Sequence, residues 1–204
     1  MPKQNRVNPE GELIANSTRG ALMGNRGCLH DDNQRIVRSS ARDAWVTCLT
    51  SFKDRKRIVM QPGHYTELFF LDEATALAAG HRPCATCRRE RYAVFLKAWN
   101  AANSNGNVVG VKDVDAQLKR ERNAYARKEG TVLPALPTGA MFKHIPSGNF
   151  YLVRGKRAVQ WTFEGYGVGV DLSSLSGPFI VLTPNSTLRA MLQGYEPDLH
   201  PSAL

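Results

Sequence analysis

Cys84-Ala-Thr-Cys87 is the part of this chain best equipped to do chemistry. Two cysteines at this spacing sit on one tight turn, and their sulfurs can reach a single tetrahedral ion from the same side. The other common use of the spacing is a redox dithiol. That use needs a thioredoxin-like βαβ setting, which the flanking sequence lacks. Zinc is therefore the expected cofactor. The four cysteines, at 28, 48, 84 and 87, are even in number and could form two disulfides. No apolar stretch follows the charges of Met1-Pro-Lys-Gln-Asn-Arg6, so no secretion signal supports that pairing and a metal site is the better reading. The same absence, with no run of roughly 18 apolar residues, leads us to expect a cytoplasmic protein without a membrane span.

The cysteine turn has to be positioned by its neighbours. Asp72 is a good N-cap for a short Ala-rich helix over 73–79, and Gly80 supplies its stop. A second helix is expected from the cysteines to about Ala101. Tyr92, Phe95, Leu96 and Trp99 form its apolar stripe at i, i+3, i+4, i+7 spacing. Upstream, residues 44–52, 58–60 and 65–71 read as three short strands in an antiparallel meander. Residues 1–27 are polar and read as an extended arm. Downstream, a third helix is expected from Asp113 to about Lys128, with Tyr125 on its apolar side and Gly130 beyond its end. Short strands then follow over 140–145, 150–154, 157–162 and 179–182, separated by Gly and Pro turns. A last helix over 184–193 has Thr183 as N-cap and Pro184 at its first position.

The stretch from Leu68 to Cys87, ending Ala-Ala-Gly-His-Arg-Pro-Cys-Ala-Thr-Cys, resembles the zinc-binding module of the Ada methyl-phosphotriester repair proteins. It also resembles the Ada-like metal-binding motif attached to some nucleases. The likeness covers about residues 44–91. It implies that Cys84 and Cys87 are the downstream half of a four-ligand zinc site. It implies Cys48 as third ligand, the alternative being a buried apolar cysteine. The fourth would be His30, by analogy with the family's His-Cys variants, with Cys28 as the alternative. Two features depart from the family pattern. Some twenty residues separate Cys28 and His30 from Cys48, and His81 stands where the family carries an aromatic. In Ada a zinc-bound cysteine accepts the methyl group, so an alkyl-acceptor or a metal-dependent nuclease is the enzyme alternative. Asp31, Asp32, His64 and Glu67 could assemble a nuclease site, though no recognised nuclease string joins them.

Net charge is +9, and the excess is uneven. Residues 81–130 hold eleven Lys and Arg against five Asp and Glu. A concentrated positive field favours a polyanion, and nucleic acid, DNA above all, is the expected partner. Lys119, Arg120, Arg122, Arg127 and Lys128 on the third helix would contact phosphate. Arg88, Arg89 and Arg91 beside the cysteines would assist. Trp45, Trp99 and Trp161 could stack on bases. A protein-interaction module with an incidentally basic surface and a structural zinc is the remaining alternative.

The fold class expected is α+β. A zinc-stabilised antiparallel meander with helices, residues 1–130, precedes a small β-rich module, residues 131–204.

Overall fold

The computed structural model describes residues 1–53, 58–104, 106–122, 129–131 and 133–204. Among these residues the chain is mixed α+β, with two six-stranded sheets and four α-helices. The first sheet contains β1 (Gln4–Val7), β2 (Leu13–Ala15), β3 (Leu22–Asn25), β4 (Val46–Leu49), β5 (Leu68–Phe70) and β6 (Arg82–Pro83). Its order is β2-β1-β5-β3-β4-β6.

That order differs from the expected meander. β3 lies between β4 and β5 and runs antiparallel to both. Residues 1–27 are thus sheet rather than arm. Their polar side chains conceal this, because strand pairing uses the backbone and one buried face suffices. Val7, Leu22 and Met23 are buried, and the Asn5 amide donates to the Glu67 carbonyl at 3.0 Å. Residues 58–60 form a turn. Met60 has φ of 58°, and its N–H donates to the Glu67 carboxylate at 2.8 Å.

The second sheet contains β7 (Glu129–Gly130), β8 (Met141–His144), β9 (Asn149–Arg154), β10 (Arg157–Trp161), β11 (Tyr166–Asp171) and β12 (Phe179–Val181), in the order β11-β10-β9-β8-β12-β7. Strands β8, β9, β10 and β12 fall where the apolar runs place them. β11 escapes that pattern, because its Tyr-Gly-Val-Gly-Val run places glycines among the valines.

The helices are α1 (Glu73–Ala78), α2 (Arg89–Asn103), α3 (Val111–Arg122) and α4 (Asn185–Leu192). Asp72 caps α1 as expected, its carboxylate accepting the Thr75 N–H at 2.9 Å. At α4, Pro184 takes the cap position itself. Thr183 instead accepts the Met141 N–H at 2.9 Å and ties the helix to β8. The remainder of the expected third helix, with Tyr125, Arg127 and Lys128, lies outside the described residues, as do residues 54–57 of the charged turn.

Every residue of α1 is buried. Leu77 joins Phe95, Trp99 and Leu118 against Phe142, Tyr151 and Phe179 of the second sheet. Leu71, Ala74 and Ala78 pack on Met141, Leu152 and Trp161. Hydrophobic packing therefore runs continuously across residue 131. The segment Tyr195–Ala203 then crosses the start of α1, where Glu73 N–H donates to the Asp198 carbonyl at 3.1 Å.

Candidate metal centre

The cysteine turn is fastened to the edge of the first sheet. β6 pairs in parallel with β4, and the Cys84 N–H donates to the Thr47 carbonyl at 2.8 Å. Arg82 anchors the strand from behind through a two-pronged bond to Asp115 of α3, at 2.7 and 2.8 Å, with both side chains buried. Cys48, one residue beyond Thr47, is thereby placed beside the turn. The sulfurs of Cys48, Cys84 and Cys87 lie within 4.8 Å of one another.

The turn closes as a knuckle. The Cys84 sulfur accepts the Thr86 N–H at 3.4 Å, and the Cys87 sulfur accepts the Leu49 N–H at 3.4 Å. These N–H groups favour thiolates. Cys84 is lowered to about 4, first because the Cys48 thiol donates to it, and also because the N–H groups of Cys87 and Thr86 point at it. Cys48 is pushed up in return by its bond to Cys84 and by burial, and burial also raises Cys87.

The three sulfurs suit a soft or borderline cation. Zn–S bonds of about 2.3 Å imply sulfurs roughly 3.8 Å apart in a tetrahedral site, and the three found here lie within 4.8 Å of one another. Neither expected fourth ligand joins them. β3 runs antiparallel to β4 with Asn25 opposite Val46, so Cys28 follows beyond the end of β4 remote from Cys48. The Cys28 sulfur instead lies 3.6 Å from the His30 carbonyl. His30 is buried, with Nδ1 2.6 Å from Thr66 Oγ1 and Nε2 3.2 Å from the Gln61 carbonyl. Among the described residues no other His, Cys, Asp or Glu completes the group. A cleft of about 470 Å³ opens at Cys87, walled by Leu22, Leu49, Thr86, Arg89 and Asp198.

Comparison with protein-family models, with curated proteins and with solved structures finds no match to this chain. The functional reading therefore rests on the site itself.

Several arginines expected at phosphate serve the fold. Arg88 is buried, its guanidinium 3.0 Å from Glu73, 2.9 Å from Thr47 Oγ1 and 2.9 Å from Asp198. Arg91 bonds Glu73 at 2.7 Å and the Glu196 carbonyl at 2.5 Å. Arg122 donates to the carbonyls of Gly80 and Asp43, at 2.9 and 2.7 Å. Arg89, Lys119 and Arg120 are exposed. The carboxylates that receive the buried arginines, Glu73 above all, carry no sequence signal beyond a helix's first turn. Long-range pairing alone reveals them.

The aromatic residues are similarly occupied. Trp99 and Trp161 are buried. Trp45 packs against two guanidiniums, Arg26 at 3.9 Å and Arg122 at 4.2 Å from its ring centroid. His81 lies beneath, fully buried against Trp45 and Phe70. Burial and the charges of Arg26 and Arg122 hold it well below the usual histidine range, and it accepts from Arg26 Nε at 3.2 Å as a neutral ring. Among the described residues, those expected for a nuclease site form no metal-binding cluster. Glu67 is buried against the Met60 N–H, Asp31 closes its own turn onto the N–H groups of Asn33 and Arg35, and His64 is exposed.

Proposed function

We propose that this chain is a zinc-thiolate protein that engages nucleic acid. The observation that carries the metal half is the convergence of three sulfurs, from β4 and the Cys84–Cys87 knuckle, within 4.8 Å. Cys48, Cys84 and Cys87 hold the ion, which keeps the thiolates deprotonated and ties β4 to the start of α2. The N–H groups of Leu49 and Thr86 orient the sulfurs toward it. The nucleic-acid half is supported by the net charge of +9 and the exposure of Arg89, Lys119 and Arg120. It is also in keeping with the Ada-like string at Leu68–Cys87.

One observation favours a second reading, in which a zinc-activated thiolate accepts an alkyl group. The cleft that Cys87 lines gives a small electrophile a way to that cysteine, and an open metal position is the mark of a reactive rather than a structural site. A single experiment separates the two. Zinc content is measured in the wild type and in Ser variants of the four cysteines, and the intact zinc protein is then challenged with methyl iodide and mapped by mass spectrometry. One zinc per chain, lost on substitution of Cys48, Cys84 or Cys87 and retained on substitution of Cys28, supports the site. Methylation confined to one of the three sulfurs supports the acceptor reading, and protection of all three supports a structural ion. Absence of zinc from the wild type refutes both.

A further inference from the structure

The region between His30 and Trp45 is absent from the functional reading so far, yet it carries Arg35, Arg38 and Arg42, all exposed. The fold delivers part of it to α3. Asp43 pairs with Lys119 at 2.9 Å, and its carbonyl accepts from Arg122 at 2.7 Å. The Arg42 carbonyl accepts the Trp45 indole N–H at 3.0 Å, and the Ala41 N–H donates to the Arg26 carbonyl at 2.9 Å. Arg42, next in the chain to Asp43, is thereby brought to the part of α3 that carries Lys119, and Arg120 follows Lys119 on the same helix. Arg38, four residues earlier, is within about 14 Å of it along the chain.

Two carboxylates of α3 have partners of their own. Asp115 is taken by Arg82, and Glu121 accepts the Ser186 hydroxyl at 2.6 Å at the start of α4. Asp43 faces solvent in an exposed pair with Lys119, which a phosphate can replace. The aromatic beside this face, Trp45, is already engaged, with the guanidiniums of Arg26 and Arg122 packed over its ring at 3.9 and 4.2 Å. The face therefore has charges to offer and no stacking platform.

We propose that Arg38, Arg42, Lys119 and Arg120 form one phosphate-binding face that holds duplex nucleic acid without regard to base sequence. The proposal deepens the nucleic-acid reading above and rests on it. Phosphate contacts position a duplex but carry no sequence information, whereas their number sets the salt dependence. Four contacts predict a slope of about −3.6 in log K against log salt for B-DNA.

The test is fluorescence anisotropy with labelled 20-base-pair duplexes of three unrelated sequences, between 50 and 200 mM KCl. The expected result is affinities within about threefold of one another and a slope of about −3 to −4. The double variants Arg38→Ala/Arg42→Ala and Lys119→Ala/Arg120→Ala should each flatten the slope by about two. Arg38→Lys/Arg42→Lys should restore it, and the distant exposed pair Lys97→Ala/Lys156→Ala should leave it unchanged. Circular dichroism of each variant checks that the fold is kept. A slope that responds to the distant pair and not to these four overturns the face while leaving nucleic-acid binding intact. A tenfold preference for one sequence overturns the charge-only mode. Wild-type protein with no salt-dependent binding overturns both the face and the reading beneath it.

Discussion

Glu73 offers the sharpest test of how the site is supported. Its carboxylate is fully buried and accepts from Arg88 at 3.0 Å, Arg91 at 2.7 Å, the Tyr195 hydroxyl at 2.7 Å and the Asp198 N–H at 2.9 Å. Removing one partner of a buried pair costs about 3–5 kcal/mol, because the other charge is left without compensation. Arg88 retains the partly exposed Asp198, which moderates the loss, so Glu73→Ala should cost about 3 kcal/mol. Glu73→Gln keeps the shape but turns an amide N–H₂ toward two of the four donors, whichever oxygen it replaces, and should cost nearly as much. With a urea m-value of about 2 kcal/mol/M, the midpoint should fall by roughly 1.5 M. Arg88 directly follows Cys87, so zinc affinity should fall as well. The assay is urea unfolding followed by tryptophan fluorescence, with a double-mutant cycle against Arg88→Met. A Glu73→Gln shift below about 0.5 kcal/mol, or a Glu73–Arg88 coupling near zero, would refute a role for Glu73 in holding Arg88 and Arg91 beside the cysteine turn.

Further outcomes follow from the same geometry. At pH 5.5 with a chelator present, iodoacetamide should label Cys84 ahead of Cys48. Cys84 lies near 4 and is ionised there, while the hydrogen bond to Cys84 and burial keep Cys48 protonated; peptide mapping that finds Cys48 modified first would contradict this. Gly80→Ala should destabilise by about 2 kcal/mol or more, since φ is +80° and a Cβ would stand 2.4 Å from Arg122 Cγ; an unchanged melting temperature would show that Arg122 can leave its place. Adding zinc at 100 times its Kd to the apo protein should stabilise it by about 2.7 kcal/mol, read as a rise in melting temperature that the Cys87→Ser variant lacks.

Local chemistry was the legible part of the sequence. The Cys84–Cys87 spacing, the Asp72 cap and the apolar stripe of α2 each depend on residues within one or two turns. In the structure Cys84 and Cys87 converge with Cys48, Asp72 caps α1, and Phe95 and Trp99 of the stripe are buried. Cys48 was reachable too, because a strand preceding the turn can supply a third sulfur. What lay out of reach was pairing between distant segments. A polar N-terminal stretch supplies β3, the strand that separates β4 from β5, and its register carries Cys28 and His30 away from the cysteine cluster. The basic residues mislead in the same way. Arg88 and Arg122 read as surface charge until their distant partners, Glu73, Asp198 and the carbonyls of Gly80 and Asp43, are known.

The segment that crosses α1 also sets an order of assembly. Glu73 must wait for Tyr195 and Asp198, more than a hundred residues downstream, before its carboxylate is satisfied. At a synthesis rate of about 5–20 residues per second, the nascent chain carries that unfinished carboxylate for roughly 6–25 s. The cysteines emerge early in that interval, and the donors to their sulfurs, Leu49 and Thr86, have been made by then. A metal ion could therefore be captured before the surrounding core exists, and would then hold β4 to the start of α2 while the second sheet is being made. On this view the ion's largest service is temporal: it protects an early half-fold whose buried charges are completed only by the last residues described. A ribosome-bound chain stalled before Tyr195 should already retain zinc, yet be cleaved readily around α1 by protease.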